Sequence, residues 1–168
     1  RPGHADYTAF LKYNGYQDYR GGGHFSGRMT VGIVIAGAIC KQILENKGII
    51  IGSHIKQIYN VVDVDFAVNK NELAYQIESV NKKQFATISS VVKDDMIKCI
   101  EEAKGQNNSV GGIIETAVLN VEGGIGEPFF NSIESVLSSL VFSIPGVKGI
   151  EFGKGFEFAN MTGIEAND

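Results

Sequence analysis

The segment that most constrains this chain is residues 31–40, VGIVIAGAIC, ten consecutive residues without a charge. It lies in a helical pattern over residues 28–46 that is apolar on nearly all sides at first and turns amphipathic at Lys41, with Gly48 placed as a C-cap. A helix that is apolar all round has to be covered all round, so the sequence predicts that it belongs in the core. Gly32, Ala36, Gly37 and Ala38 would let another element approach it closely. The apolar run alone is too short to cross a bilayer, which takes about 20 residues, and no signal-peptide pattern precedes it. A cytoplasmic chain is expected.

Periodicity orders the rest. Residues 1–27, rich in Gly, His, Tyr and Arg, read as loop with short turns. Residues 49–59 carry β-branched side chains in partial alternation and predict a strand. A loop then leads to a helix over 72–81. Ser89 or Ser90 caps a further helix in which Val92, Met96 and Ile100 recur at helical spacing, ending near Gly105. A strand is predicted over 110–121 and a break at GGIGEP. Ile133, Val136, Leu137, Leu140 and Val141 mark an amphipathic helix stopped by Pro145, and residues 149–160 read as a last strand. Helices and strands therefore alternate in layers, an α+β class.

The chain's 168 residues suffice for one domain with a real core. A net charge of -4 argues against a general nucleic-acid or membrane-surface binder, which needs a basic face. Cys40 and Cys99 both fall in helical segments, so buried free thiols in a reducing compartment are expected rather than a disulfide. No metal-ligand spacing is present. The chain opens on RPGHADYT without an initiator methionine and stops at TGIEAND without a tapering polar tail. On that ground a piece of a longer protein is expected.

Directly before the apolar helix stands RGGGHFSGRMT, residues 20–30. Arg1, Arg20 and Arg28 are the only arginines among fifteen basic residues, and all precede that helix. A guanidinium grips carboxylate or phosphate with two prongs, whereas lysine suffices for solubility. Glycines let backbone N–H groups approach a ligand, and a helix N-terminus with Ser26, Arg28 and Thr30 adds donors, so the stretch suits an anion. It matches neither the dinucleotide fingerprint nor the P-loop. Ordinary ion pairing of the arginines with Asp6 or Asp18, and a capping turn with incidental glycines, are the plainer alternatives. His4 and His24 lie in the two glycine-rich pieces, where a histidine suits proton donation to a developing negative charge. His54, in a predicted strand, reads as structural; Glu115 and Glu127 read as distant supports for the arginines.

Taken together, RPGHADYT, DYRGGGHFSGRMT, NSVGGIIE, GGIGEPFF, SIPGVKGIEFGKGF and GIEAND resemble the chorismate synthase family in order and spacing over residues 1–168. The resemblance implies a central portion of a family chain about twice this length, without the family's N-terminal Gly-Glu-Ser-His-Gly loop and C-terminal region. It implies a layered sandwich with antiparallel sheets packed around helices, a single domain over 1–168 with active-site loops in 1–30, and a homotetramer. The activity implied is a lyase that eliminates phosphate from 5-enolpyruvylshikimate 3-phosphate to give chorismate, with reduced FMN as cofactor; NADP enters only as a nucleotide associated with the family. Residue by residue, His4 in RPGHAD is similar to the histidine that contacts and protonates the flavin. Arg1 and Arg28 are similar to substrate-binding arginines; His24, Phe25, Ser26, Pro145 and Gly146 fall at cofactor positions. Where many members have Arg-Ser-Ser-Ala-Arg-Glu, this chain has His24, Phe25, Ser26, Gly27, Arg28 and Met29, one positive charge weakened and one carboxylate gone. With both flanks absent, the chain alone is expected to be inactive or nearly so. The competing expectation is a non-catalytic anion-binding or assembly fragment.

Overall fold

The computed structural model describes residues 4–167. They form two compact units, one made of the residues up to Gly37 together with those from Gly123 onward, the other spanning Ala38–Glu122.

The second unit holds the sheet. Strand β1 (Ile50–Ile58) sits between β2 (Val61–Val62) and β3 (Gly112–Leu119), antiparallel to both. Pairing runs from Ile50 opposite Leu119 to Ile55 opposite Ile114, and then slips by one residue at Lys56, so that Gln57 faces Ile113. The slip is a bulge. Alternation gives this sheet two different faces. Gly52 and His54 of β1 are buried, and their partners Ala117 and Glu115 lie on the same side. Ser53 and Thr116 point the other way, are exposed and share a 2.8 Å hydroxyl hydrogen bond.

Helices α3 (Lys70–Asn81) and α4 (Val92–Gly105) pack on the buried side. Asn69 caps α3 by accepting the N–H groups of Asn71 and Glu72, and the helix turns Ile77 and Val80 inward. From α4 come Met96 and Ala103. Gly52 makes this packing close: a Cβ there would lie 2.6 Å from Cγ2 of Ile77, a fully buried side chain. Between the helices, Ile55 N–H donates to Ala86 O and Lys83 Nζ to Thr87 O.

Helix α2 (Val31–Asn46) begins after a 3-10 turn (Gly27–Thr30) and ends as the sequence indicates: Gly48 has φ +79, and its N–H and that of Ile49 return to Glu45 O and Leu44 O. Its predicted core placement is corrected. None of its residues is buried, because among the described residues no layer covers it. Nor is the apolar run as short as its bare length: with the 3-10 turn the helical stretch Gly27–Asn46 has 20 residues and a window of mean hydropathy 1.4, enough by length and composition alone to cross a membrane. Burial of the thiols is corrected too, since Cys40 is exposed and Cys99 only half-buried, both free.

In the first unit, helix α1 (Asp6–Lys12) occupies sequence read as loop. Seven residues with one buried side chain, Ala9, leave little periodicity to detect. Helix α5 (Ile133–Val141) starts at Ser132, whose hydroxyl accepts the N–H of Ser135, and stops before Pro145. The predicted strand over 149–160 is corrected: Gly153 and Gly155 take φ +58 and +52, which breaks an extended run, and Gly155–Asn160 winds into a 3-10 helix.

Candidate active-site loop

The loop between α1 and α2 is built from turns that only glycine tolerates well. Gly23 has φ +51 and opens a 3-10 turn (Gly23–Phe25); Ser26 caps the next, its hydroxyl accepting the Arg28 N–H at 3.4 Å. Gly22 is where the loop meets the chain's start, since a Cβ there would come within 3.0 Å of Ser26 Cβ and 3.5 Å of His4 Nε2. Around Gly21, Gly23 and Gly27 the same test meets nothing within 4 Å. The space beside these three glycines is free, although the carbonyls of Gly23 and Gly27 accept the Ser26 N–H and the Thr30 hydroxyl.

His4 sits at the head of α1, half-buried, with Nδ1 2.6 Å from Asp6 Oδ1. Asp6 thus holds the His4 ring. Asp18 does hold an arginine: Arg20 donates Nε to Oδ1 at 2.9 Å, Nη2 to Oδ2 at 3.0 Å and its own backbone N–H to Oδ1 at 3.0 Å. The plainer alternative therefore holds for Arg20, and Arg28 differs. Its guanidinium is exposed and, among the described residues, has no ion-pair partner. Thr30, expected to donate outward, donates to Gly27 O at 2.7 Å instead. Beside the loop lies a cleft of 300 Å³ lined by Asp6, Gln17, Asp18, Tyr19, Gly21 and Phe25, and Gln17 Oε1 is buried without a hydrogen-bond partner.

The Asp18 carboxyl is held down to about 2, first by the Arg20 side-chain hydrogen bond and then by the Arg20 backbone N–H, against an ordinary value of 3.8. A carboxyl lowered by folding stabilises above its unfolded value and stops doing so as pH falls through its folded one. A carbon-detected NMR titration of Asp18 is expected to give a midpoint near 2; one near 3.8 would mean that the fork does not persist in solution.

Of the remaining predicted positions, His24 is exposed while Phe25 and Ser26 are half-buried, all three in the loop. Pro145 and Gly146 form the exposed turn after α5, with Gly146 at φ +94. No hydrogen bond joins that turn to the loop among the described residues. Arg1 lies outside the described residues. Glu115 does not support an arginine; its Oε2 binds His54 Nε2 at 2.6 Å, in the other unit. Sequence reasoning missed Gln17, for which no local signal exists, and the His4–Asp6 pair, whose i, i+2 spacing was the available cue.

Comparison with known proteins gives these loops a context. The family model described as chorismate synthase matches residues 1–168. The chorismate synthase of Thermococcus gammatolerans is 45% identical over all of this chain and 45% of its own length, and that of Pyrococcus abyssi 46% identical with the same coverage. A crystal structure of a chorismate synthase superposes with a TM-score of 0.83 at 28% identity, covering 98% of this chain and 51% of that one. The chain spans about half the length of these relatives.

Proposed function

This chain belongs to the chorismate synthase family, and from that premise we propose that it serves a lyase converting 5-enolpyruvylshikimate 3-phosphate into chorismate and phosphate, with reduced FMN as cofactor. Residues 1–168 form the central portion of that enzyme's single domain and residues 1–30 its active-site loops. The observation that carries the reading is the contrast between two arginines in one loop. Arg20 is spent on Asp18, while Arg28 stands unpaired among the described residues in a loop whose glycines have free space beside them. Such an arrangement presents a two-pronged donor to phosphate or carboxylate.

The residues also fit the flavin. Gln17 Oε1 is a buried acceptor that lacks a donor, Phe25 offers an apolar flank to the cleft, and the glycines leave free space beside them. When bound, reduced FMN supplies transient electron density while phosphate leaves. The chain's own residues do the rest. Asp6 fixes the His4 ring through Nδ1, and His4 holds a proton for the flavin side. Arg28, with Arg1, binds substrate anions; His24, Phe25 and Ser26 with the Pro145–Gly146 turn bound the cofactor. The complete enzyme is a cytoplasmic homotetramer.

Family membership favours this reading over a non-catalytic anion-binding fragment. The test is an anaerobic titration of a family-length chain carrying this segment with reduced FMN, with and without the phosphorylated substrate, following the flavin spectrum. Saturable binding strengthened by substrate is expected; no spectral change would overturn the assignment. In the same titration Arg28→Lys should weaken substrate binding although the charge is kept, because the fork is lost. Equal affinity would remove Arg28 from the substrate site.

A further inference from the structure

The second unit buries a charged group that the proposed chemistry does not use. His54, on β1, has no exposed side-chain surface, and both of its ring nitrogens meet carboxylates. Nε2 lies 2.6 Å from Oε2 of Glu115 on β3, and Nδ1 lies 3.3 Å from Oδ2 of Asp63, which follows β2 and is equally buried. The Nδ1 contact has ion-pair distance without hydrogen-bond alignment, so that buried nitrogen lacks a proper acceptor. Phe66 closes the site with its ring edge-on to the imidazole, centroids 4.7 Å apart.

Each carboxylate also ties down backbone. Asp63 accepts the N–H groups of Val64 at 2.9 Å, Ile88 at 2.6 Å and Ser89 at 3.0 Å; Glu115 Oε2 accepts that of Phe66 at 3.1 Å. Three N–H donors converging on two oxygens is how a carboxylate anion is held. An imidazole between two such anions can turn N–H toward both only as the cation, since the neutral ring has a single N–H. The neutral ring would aim a lone pair at one carboxylate; the ring and Asp63 have no exposed side-chain surface, while Glu115 is 32% exposed. Other charges around the site are few. Lys56, at the β1 bulge, pairs with Asp65 and donates to the Asp63 carbonyl at 2.7 Å; the inward faces of α3 and α4 bring only Ile77, Val80, Met96 and Ala103.

We propose that Asp63, His54 and Glu115 form a protonation-dependent latch, in which the doubly protonated imidazole fastens two loop segments, residues 63–66 and 88–89, to the sheet. The sign follows from the donor count. While the ring carries both protons the latch is closed; on the alkaline side, loss of one proton leaves a carboxylate facing a lone pair, and its segment loosens. Joining the segments to the strands through one ring makes their release cooperative.

The test uses the unsubstituted 168-residue chain, so it does not depend on a variant that folds. Long-range nitrogen–proton NMR of the histidine rings, with amide exchange recorded over the same pH series, reads both halves of the claim. Expected is amide protection at Phe66, Ile88 and Ser89 that falls about tenfold relative to the α3 amides as the ring goes from two N–H protons to one, the scale of one buried charge-assisted hydrogen bond. A ring that carries a single proton throughout the series, or protection that ignores the loss of the second, overturns the proposal. In Glu115→Gln, which keeps an acceptor but removes a charge, loosening should set in at lower pH than in the unsubstituted chain. An unchanged pH profile overturns the part given to Glu115.

Discussion

His4→Ala, introduced into a family-length chain carrying this segment, is expected to lower turnover by about 10²-fold or more, the usual contribution of a positioned general acid. The expectation combines the motif with geometry: His4 sits at the head of α1, its Nδ1 held by Asp6 at 2.6 Å and its Nε2 3.5 Å from where a Cβ on Gly22 would stand, in the loop that carries Arg28. Asp6→Asn removes the anion that orients the ring and leaves the ring itself, so it should cost less than His4→Ala. Turnover is to be followed anaerobically with reduced FMN, together with flavin affinity in the same variants. Near-normal turnover in His4→Ala would refute the role, and a parallel loss of flavin binding would reassign His4 from proton transfer to cofactor contact.

The second large effect concerns stability. Gly52→Ala places a methyl carbon 2.6 Å from Cγ2 and 2.9 Å from Cγ1 of Ile77. Ile77 is fully buried and stiff at χ1 on a helix, so it has nowhere to turn. Overpacking of this kind costs about 1–3 kcal/mol. For a unit of this size that corresponds to a fall in melting temperature of roughly 4–8 °C per kcal/mol. Gly52→Val should be worse. Ile77→Ala alone should cost about 2–5 kcal/mol through the cavity it leaves. Combined with Gly52→Ala it should cost clearly less than the sum, because each change fills or empties the same space. Strict additivity in thermal melts of the four chains would show that the close approach of β1 and α3 does not exist in solution.

What the sequence disclosed and what it withheld divide along range. Helices α2 to α5 and strands β1 and β3 were legible because their apolar residues recur near 3.6 or 2, and Gly48 marked the end of α2; the cap expected at Ser89 or Ser90 did not hold, since α4 begins after Val91 without a side-chain cap. Helix α1 was not, having too few residues to show a period. The last stretch looked like a strand on composition, and the backbone turns at Gly153 and Gly155 decided otherwise. The error about α2 was of another kind. Apolarity reports what a helix needs, whereas cover depends on which other layers are present. The site behaved likewise. The loop's glycines and arginines announced themselves locally, and so did the Asp18 fork two residues from Arg20. Glu115 could not be assigned to His54, 61 positions away, without the register that sets β1 against β3.

Strand β3 has a consequence for how this chain behaves in company. It borders the sheet among the described residues, with β1 on one side only. Every second N–H and C=O along GIIETAVL therefore points outward, a template on which another extended chain could register. Proteins usually blunt such borders with a lysine or a proline. Here there is neither, and the only charge, Glu115, is turned to the covered face and tied to His54. Exposed Ile114 and Val118 add an apolar flank to the same strand. β3 is a border through which the chain should self-associate as it is concentrated, and Thr116→Lys is the change that should weaken that pairing.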